Sequence, residues 1–149
     1  MISAECVTET SVSKITVCEN RKSATINNHE RVVHRRVQVD GCVINDRETL
    51  CADWVIERDA LSVVIELKGR DVEHAAKQVI ATSELWKSER RYEKICGLIV
   101  ARQYPRSSSS IQLKQQQYSR RFSGPLHIVT GNYAFDIENL LSFRGPHRR

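Results

Sequence analysis

Between residues 61 and 101 the hydrophobic period changes twice, and this constrains the fold more than any other feature. Over 61–67, Leu61, Val63, Ile65 and Leu67 fall on one face of an extended strand, leaving Val64, Glu66 and Lys68 on the other. Gly69 ends that strand and Asp71 is placed to cap the next element. Val72, Ala75, Ala76, Val79, Ile80, Ser83 and Trp86 then recur at helical spacing to about residue 90. Residues 95–101 are a continuous apolar run of strand length, which calls for a parallel or central strand with both faces covered.

The flanking segments extend this pattern. Residues 14–19 read as a short strand and residues 20–30 as a polar loop. A strand over 31–39 breaks at Asp40 and Gly41, and residues 42–44 continue it as a hairpin return or a bent extension. Strands over 50–56 and 61–67 are separated by the charged turn 57–59. After Pro105 and the serines at 107–110, a second helix spans 110–121 until Gly124 and Pro125, a short strand covers 126–129, and residues 135–143 make a closing helix. The order predicts an α/β fold, a three-layer mixed sheet in which an antiparallel hairpin is followed by helix, strand, helix and strand. A length of 149 residues suits one domain, with an N-terminal segment 1–30 whose elements the pattern does not resolve and a basic tail at 144–149.

The formal charge of +5 favours an anionic partner, because clustered Lys and Arg neutralise phosphates. Part of that excess is Arg144, Arg148 and Arg149, which serve equally as a nucleic-acid contact or a solvated tail. No apolar run approaches the length of a bilayer span, and the first ten residues carry Glu5 and Glu9 where an export signal would be basic and then apolar, so a cytoplasmic location is expected. Five cysteines, Cys6, Cys18, Cys42, Cys51 and Cys96, form no C-x-x-C pair and are expected to be reduced thiols.

The chemistry centres on Asp53 and, thirteen residues later, Glu66, Leu67 and Lys68. Adjacent antiparallel strands would bring Asp53 opposite Glu66 or one diagonal step away. Carboxylates that close repel each other unless a divalent ion offsets their charge, and oxygen ligands suit Mg²⁺ or Mn²⁺. Lys68, on the face of Glu66, would direct its ammonium at an attacking water or at a scissile phosphate. The bland alternative is a same-face ion pair on a surface strand. Against it, a strand this apolar seldom carries two charges on one face without a function.

These residues resemble the PD-(D/E)XK nuclease superfamily. Its core places an Asp on one hairpin strand and E-x-K on the next, followed by a helix and a strand. Cys51, Ala52, Asp53 and Trp54, then residues 63–69 and the helix from Asp71, follow that order over roughly half of the chain. The resemblance implies a restriction-endonuclease-like core and metal-dependent hydrolysis of phosphodiester bonds. Asp53, Glu66 and the Leu67 carbonyl would be metal ligands, and Lys68 would assist the water. Ala52 stands where the motif has proline. Many members complete the site with an acid from an N-terminal helix, which residues 1–30 do not show; Glu5, Glu9, Glu19, Glu30 and Asp40 are the candidates. In such proteins a polar residue of the helix, often Gln, leans over the site, a role open to Gln78, which otherwise is a solvated helix flank. His74, further round, is expected to be exposed.

Basic and aromatic residues gather at Lys87, Arg90, Arg91, Tyr92 and Lys94, and again at Lys114, Tyr118, Arg120, Arg121 and Phe122. Such clusters suit phosphates and stacked bases, although Glu89 and Glu93 weaken the first. A zinc site from Cys18, Cys42, Cys51 and His29 or His34 matches no common module, and burial of the cysteines explains them better. No Gly-rich phosphate loop, G-x-S-x-G elbow or HExxH appears. The expectation is a Mg²⁺-dependent (or Mn²⁺-dependent) nuclease on DNA, with RNA possible, acting as a homodimer where both strands of a duplex are cut. The alternative is a non-catalytic nucleic-acid-binding or regulatory protein that retains the fold.

Overall fold

Two neighbouring strands buried on both faces form the axis of the molecule. The computed structural model describes residues 2–67, 71–90, 93–103 and 108–146. Among these, after a 3-10 turn at Ala4–Cys6, nine strands and three α-helices run in the order β1 (Val7–Thr10), β2 (Lys14–Glu19), β3 (Lys22–Asn27), β4 (His34–Gln38), β5 (Trp54–Arg58), β6 (Leu61–Leu67), α1 (Val72–Arg90), β7 (Lys94–Ala101), α2 (Ser109–Phe122), β8 (Leu126–Thr130), β9 (Ala134–Asp136) and α3 (Ile137–Leu140). The alternating segment is β6 and the apolar run is β7. They pair in parallel with α1 as the crossover, from Leu61 opposite Lys94 to Leu67 opposite Val100. β8 adds in parallel after α2, while β5, β4 and β1 pair antiparallel on the other side. The sheet order is β1-β4-β5-β6-β7-β8, so β6 is the seam between its antiparallel and parallel halves.

Each face of this sheet has its own cover. On one side Val55, Val64 and Ile99 pack against Val72, Ala76, Val79 and Trp86 of α1 and Tyr118 and Phe122 of α2. Gly97 permits that approach, since a Cβ there would stand 2.7 Å from Val79 Cγ1 and 2.6 Å from Leu126 Cδ1. On the other side Ile56, Val63, Ile65, Leu67 and Leu98 meet a second sheet of order β2-β3-β9, together with Ile137 and Leu140 of α3. The expected α/β architecture with a mixed sheet is therefore present, in three layers. Among the described residues no helix is long and apolar enough to cross a membrane.

Asp71 caps α1 as expected, its carboxylate accepting from the His74 N–H at 3.0 Å. Ser108 caps α2, and Ser123, in the left-handed region at φ 60°, ends it. Other expectations are corrected. Residues 20–30 are not all loop, for 22–27 form β3, whose Ala24 and Ile26 join Ile15 and Val17 of β2 on the second sheet's inner face. Residues 135–143 do not form one helix: Phe135 and Asp136 belong to β9, parallel to β3, and only four residues of α3 follow. Residues 42–44 are neither a hairpin return nor an extension but part of a tight turn closed by an Asp40–Ile44 bridge. The strands expected at 31–39 and 50–56 are β4 and β5, displaced to 34–38 and 54–58. The cysteines are not all reduced, because Cys6 and Cys42 form a disulfide with Cα atoms 5.6 Å apart, linking the start of β1 to that turn.

Glu57 is the largest correction. It is not in a turn but inside β5 and wholly buried, with the turn formed at Asp59, φ 52°. Its Oε1 accepts from Arg35 Nε of β4 at 2.8 Å and its Oε2 from Trp86 Nε1 of α1 at 2.7 Å. A buried carboxylate survives only with such partners. Glu57→Ala is expected to lower the unfolding free energy by about 3–5 kcal/mol, the scale for breaking a buried pair. Trp86→Phe, which removes one donor and keeps most of the ring's packing, should cost about 1–3 kcal/mol. Urea titrations with an unchanged slope would measure both.

Candidate metal centre

The site begins with the register of β5 and β6. Trp54 lies opposite Ile65 in the last paired position, and the Asp53 N–H donates to that same Ile65 carbonyl at 3.2 Å, which keeps Asp53 at the end of β6 where its carboxyl shares a hydrogen bond with Glu66. Both side chains take the face of Val55 and Val64, towards α1. They sit at the carboxyl end of β6, the end at which parallel sheets place their ligands. Asp53 is 7% exposed and Glu66 1%.

Asp53 is tightly held. Its Oδ2 accepts from the Leu67 N–H at 2.8 Å, and its carbonyl accepts from the N–H groups of Val39 (3.0 Å) and Asp40 (3.4 Å). Helix α1 fixes the residues just before it: Thr82 Oγ1 accepts from the Ala52 N–H at 2.8 Å, and Gln78 Nε2 donates to the Cys51 carbonyl at 3.0 Å. Gln78 thus acts on the backbone leading to Asp53. Its Oε1 is buried with no hydrogen-bond partner among the described residues. Thr82 was not singled out from sequence; a polar side chain inside an otherwise apolar helix stripe is the signal that marks it.

The electrostatics are those of crowded acids. Burial pushes the Asp53 carboxyl above its ordinary range, and the charges of Glu19 and Asp40 push the same way; the Leu67 N–H and a hydrogen bond with Glu66 oppose them. Burial, followed by Asp40, Glu66, Asp53 and Asp46, pushes the neighbouring Cys51 thiol up to about 11. Two carboxyl groups bonded to each other must share a proton or accept a cation. Carboxylate oxygens are donors of the kind that Mg²⁺ or Mn²⁺ takes.

Of the acids considered for completing the site, Glu19, at the end of β2, and Asp40 are the two whose charges bear on Asp53. Glu9 pairs across the sheet with Arg35, and Glu30 lines a cavity of about 640 Å³ with Arg58, Asp136 and Glu138, at the far end of β5. Among the described residues no three of His, Cys, Asp and Glu converge as a ready-made metal cluster. The zinc combination is not assembled, since Cys42 is in the disulfide and Cys18 is exposed. Lys68, Gly69, Arg91, Tyr92 and residues 147–149 lie outside the described residues. Tyr118 and Phe122 are not free to stack on bases: both are buried, their centroids 4.5 Å apart, with the Tyr118 hydroxyl on Ser83 Oγ. Arg121 is committed to both carboxylate oxygens of Glu84 at 2.8 and 3.0 Å. His74 is exposed.

No protein-family model, no curated protein and no solved structure matches this chain.

An acid whose folded pKa lies above its unfolded value contributes stability below the unfolded pKa and loses it as pH rises through the folded pKa. At neutral pH the raised pKa of Asp53 therefore counts against folding of the metal-free chain. Asp53→Asn keeps an oxygen for the Leu67 N–H and removes the charge. It is expected to raise the melting temperature of the metal-free chain at neutral pH, the gap closing as pH falls towards the ordinary Asp value of about 3.9. A variant less stable than wild type at neutral pH would contradict this account.

Proposed function

We propose that the chain is a divalent-metal-dependent phosphodiesterase acting on nucleic acid, DNA in the first instance with RNA as a possible substrate, and that its sheet is a restriction-endonuclease-like core. One observation carries this reading: two buried carboxyl groups, Asp53 and Glu66, share a hydrogen bond at the carboxyl end of the central strand, with the like charges of Glu19 and Asp40 bearing on the first. Asp53 and Glu66, with the Leu67 carbonyl, would hold Mg²⁺ or Mn²⁺, which when bound supplies an activated water and offsets charge on the scissile phosphate. The chain's own residues do the positioning. The Leu67 N–H orients the Asp53 carboxylate, and Thr82 and Gln78 hold the two residues before it. Lys68 is assigned from the E-x-K pattern of the sequence alone, in which its positive charge would assist the attacking oxygen.

One such domain has one cutting centre, so cleavage of both strands of a duplex calls for a homodimer or two encounters. A second reading, a nucleic-acid-binding or regulatory protein that retains the fold without cutting, draws on the absence of a third converging ligand among the described residues.

The test is cleavage of labelled single- and double-stranded DNA and RNA with Mg²⁺, Mn²⁺ or EDTA. Metal-dependent cutting is expected in the wild type, reduced at least about a hundredfold in Asp53→Ala and Lys68→Ala, the scale for losing one electrostatic stabiliser of a transition state. Binding of the same substrates with no cutting under any metal would move the second reading ahead.

A further inference from the structure

The tip of the β2–β3 hairpin is pinned at both sides to the end of the sheet where β6 and β7 finish. Cys18 pairs with Ser23 and Glu19 with Lys22, leaving a two-residue turn in which Asn20 takes φ 55°. On one side the indole N–H of Trp54, the residue after Asp53, donates to the Cys18 carbonyl at 3.3 Å. On the other, the Ser23 N–H donates to Asn132 Oδ1 at 3.1 Å and the Thr25 N–H to the Tyr133 carbonyl at 3.3 Å, both in the connection that leaves β8. The hairpin tip therefore reaches from the end of β5 next to Asp53 to the loop beyond β8, across the ends of the central strands.

The side chains along this rim are cationic and, at one place, aromatic. Arg21 is exposed and Lys22 half-buried at the tip, where Glu19 is the accompanying acid. Arg36 lies over the Trp54 ring, 5.7 Å from its centroid, and its Nη1 donates to the Thr16 carbonyl at 2.9 Å, so its guanidinium is fixed in place. Arg102 is exposed and follows Ala101, which pairs with Thr130 at the end of β8. Tyr133 is 51% exposed, with its ring beside Gly131, where a Cβ would stand 2.9 Å from it.

We propose that this rim is the binding lip for an unpaired nucleic-acid strand, with phosphates on Arg21, Lys22, Arg36 and Arg102 and a base stacked on Tyr133. The inference rests on the phosphodiesterase reading above and deepens it by naming the substrate class, single-stranded nucleic acid or an unpaired end. Cations set at the end of the sheet that carries the acids match a phosphate backbone passing that end. The ring decides for an unpaired strand, because a duplex offers side chains the edges of its bases, while a single strand offers their faces. The pinning of the hairpin keeps cations and ring in place before the strand arrives, so little ordering is lost on binding.

The experiment reads fluorescence anisotropy of labelled oligothymidylate, oligouridylate and a DNA duplex with the full chain, in an Asp53→Asn background with EDTA, so that binding is measured without cutting. The unpaired oligomers are expected to bind more tightly than the duplex, and whichever of the two binds better names the sugar that the lip takes. Arg21→Ala/Lys22→Ala should weaken binding about tenfold and lower the logarithmic salt slope by about 1.4, two phosphates at about 0.7 each. Tyr133→Ala should weaken it about tenfold with the slope unchanged, and Tyr133→Phe should retain it. Lys14→Ala/Lys94→Ala removes the same charge at the opposite ends of β2 and β7 and should leave binding close to that of the parent. Equal losses in the two charge variants, no loss in Tyr133→Ala, or a preference for the duplex would each overturn the lip and leave the nucleic-acid reading standing. Absence of binding to every oligomer is a different result: it would overturn the nucleic-acid reading and the lip together.

Discussion

The buried carboxylate of Glu57 is the constraint around which the rest of the structure is arranged. It joins β5 to Arg35 of β4 and to Trp86 of α1, so one side chain fixes the spacing of two strands and the seating of the longest helix. A charge taken wholly out of water is tolerated only where its partners are already in place. The placement of α1 then propagates: Ser83, three residues before Trp86, meets Tyr118 of α2, while Thr82 and Gln78, one turn or two further back, hold the backbone that leads to Asp53.

The same face of β5 carries a second acid with the opposite fate. Asp53 and Glu57 are four residues apart, about 13 Å along the strand. Glu57 is matched by a guanidinium and an indole; Asp53 is matched by another carboxyl and a backbone N–H. One arrangement costs little and serves stability. The other keeps a carboxyl whose burial raises its pKa, which favours folding less at neutral pH.

Much of this was legible in the residues where one physical signal dominated. The alternation at 61–67, the helical stripe from Val72 to Trp86 and the apolar run at 95–101 are large, unmixed periodicities, and they became β6, α1 and β7. The pairing of Asp53 with Glu66 followed from that alternation and a short connection. What failed were places where long-range contacts overrode local composition. Lys22–Asn27 has two buried apolar residues and needs β2 and β9 to be a strand; Glu57 looks like a turn residue until Arg35 and Trp86 are beside it. Cys6 and Cys42 are 36 residues apart, and no local pattern pairs them. Tyr118 and Phe122 read as a binding surface because their helix is polar overall, yet they are its buried edge.

The parallel pairing of β9 with β3 joins residues 25–27 to 134–136, with the Asn27 amide on Asp136 Oδ1 at a separation of 109 residues. A sheet that borrows its third strand from so far along the chain cannot finish early. During synthesis the hairpin of β2 and β3 can form from neighbours and meet Ile56, Val63 and Ile65, but the free edge of β3 must wait for Phe135 and Asp136 to emerge. The layer beneath the central strands is therefore the last to close, and the interval before it does so is when this chain is most open to misassembly.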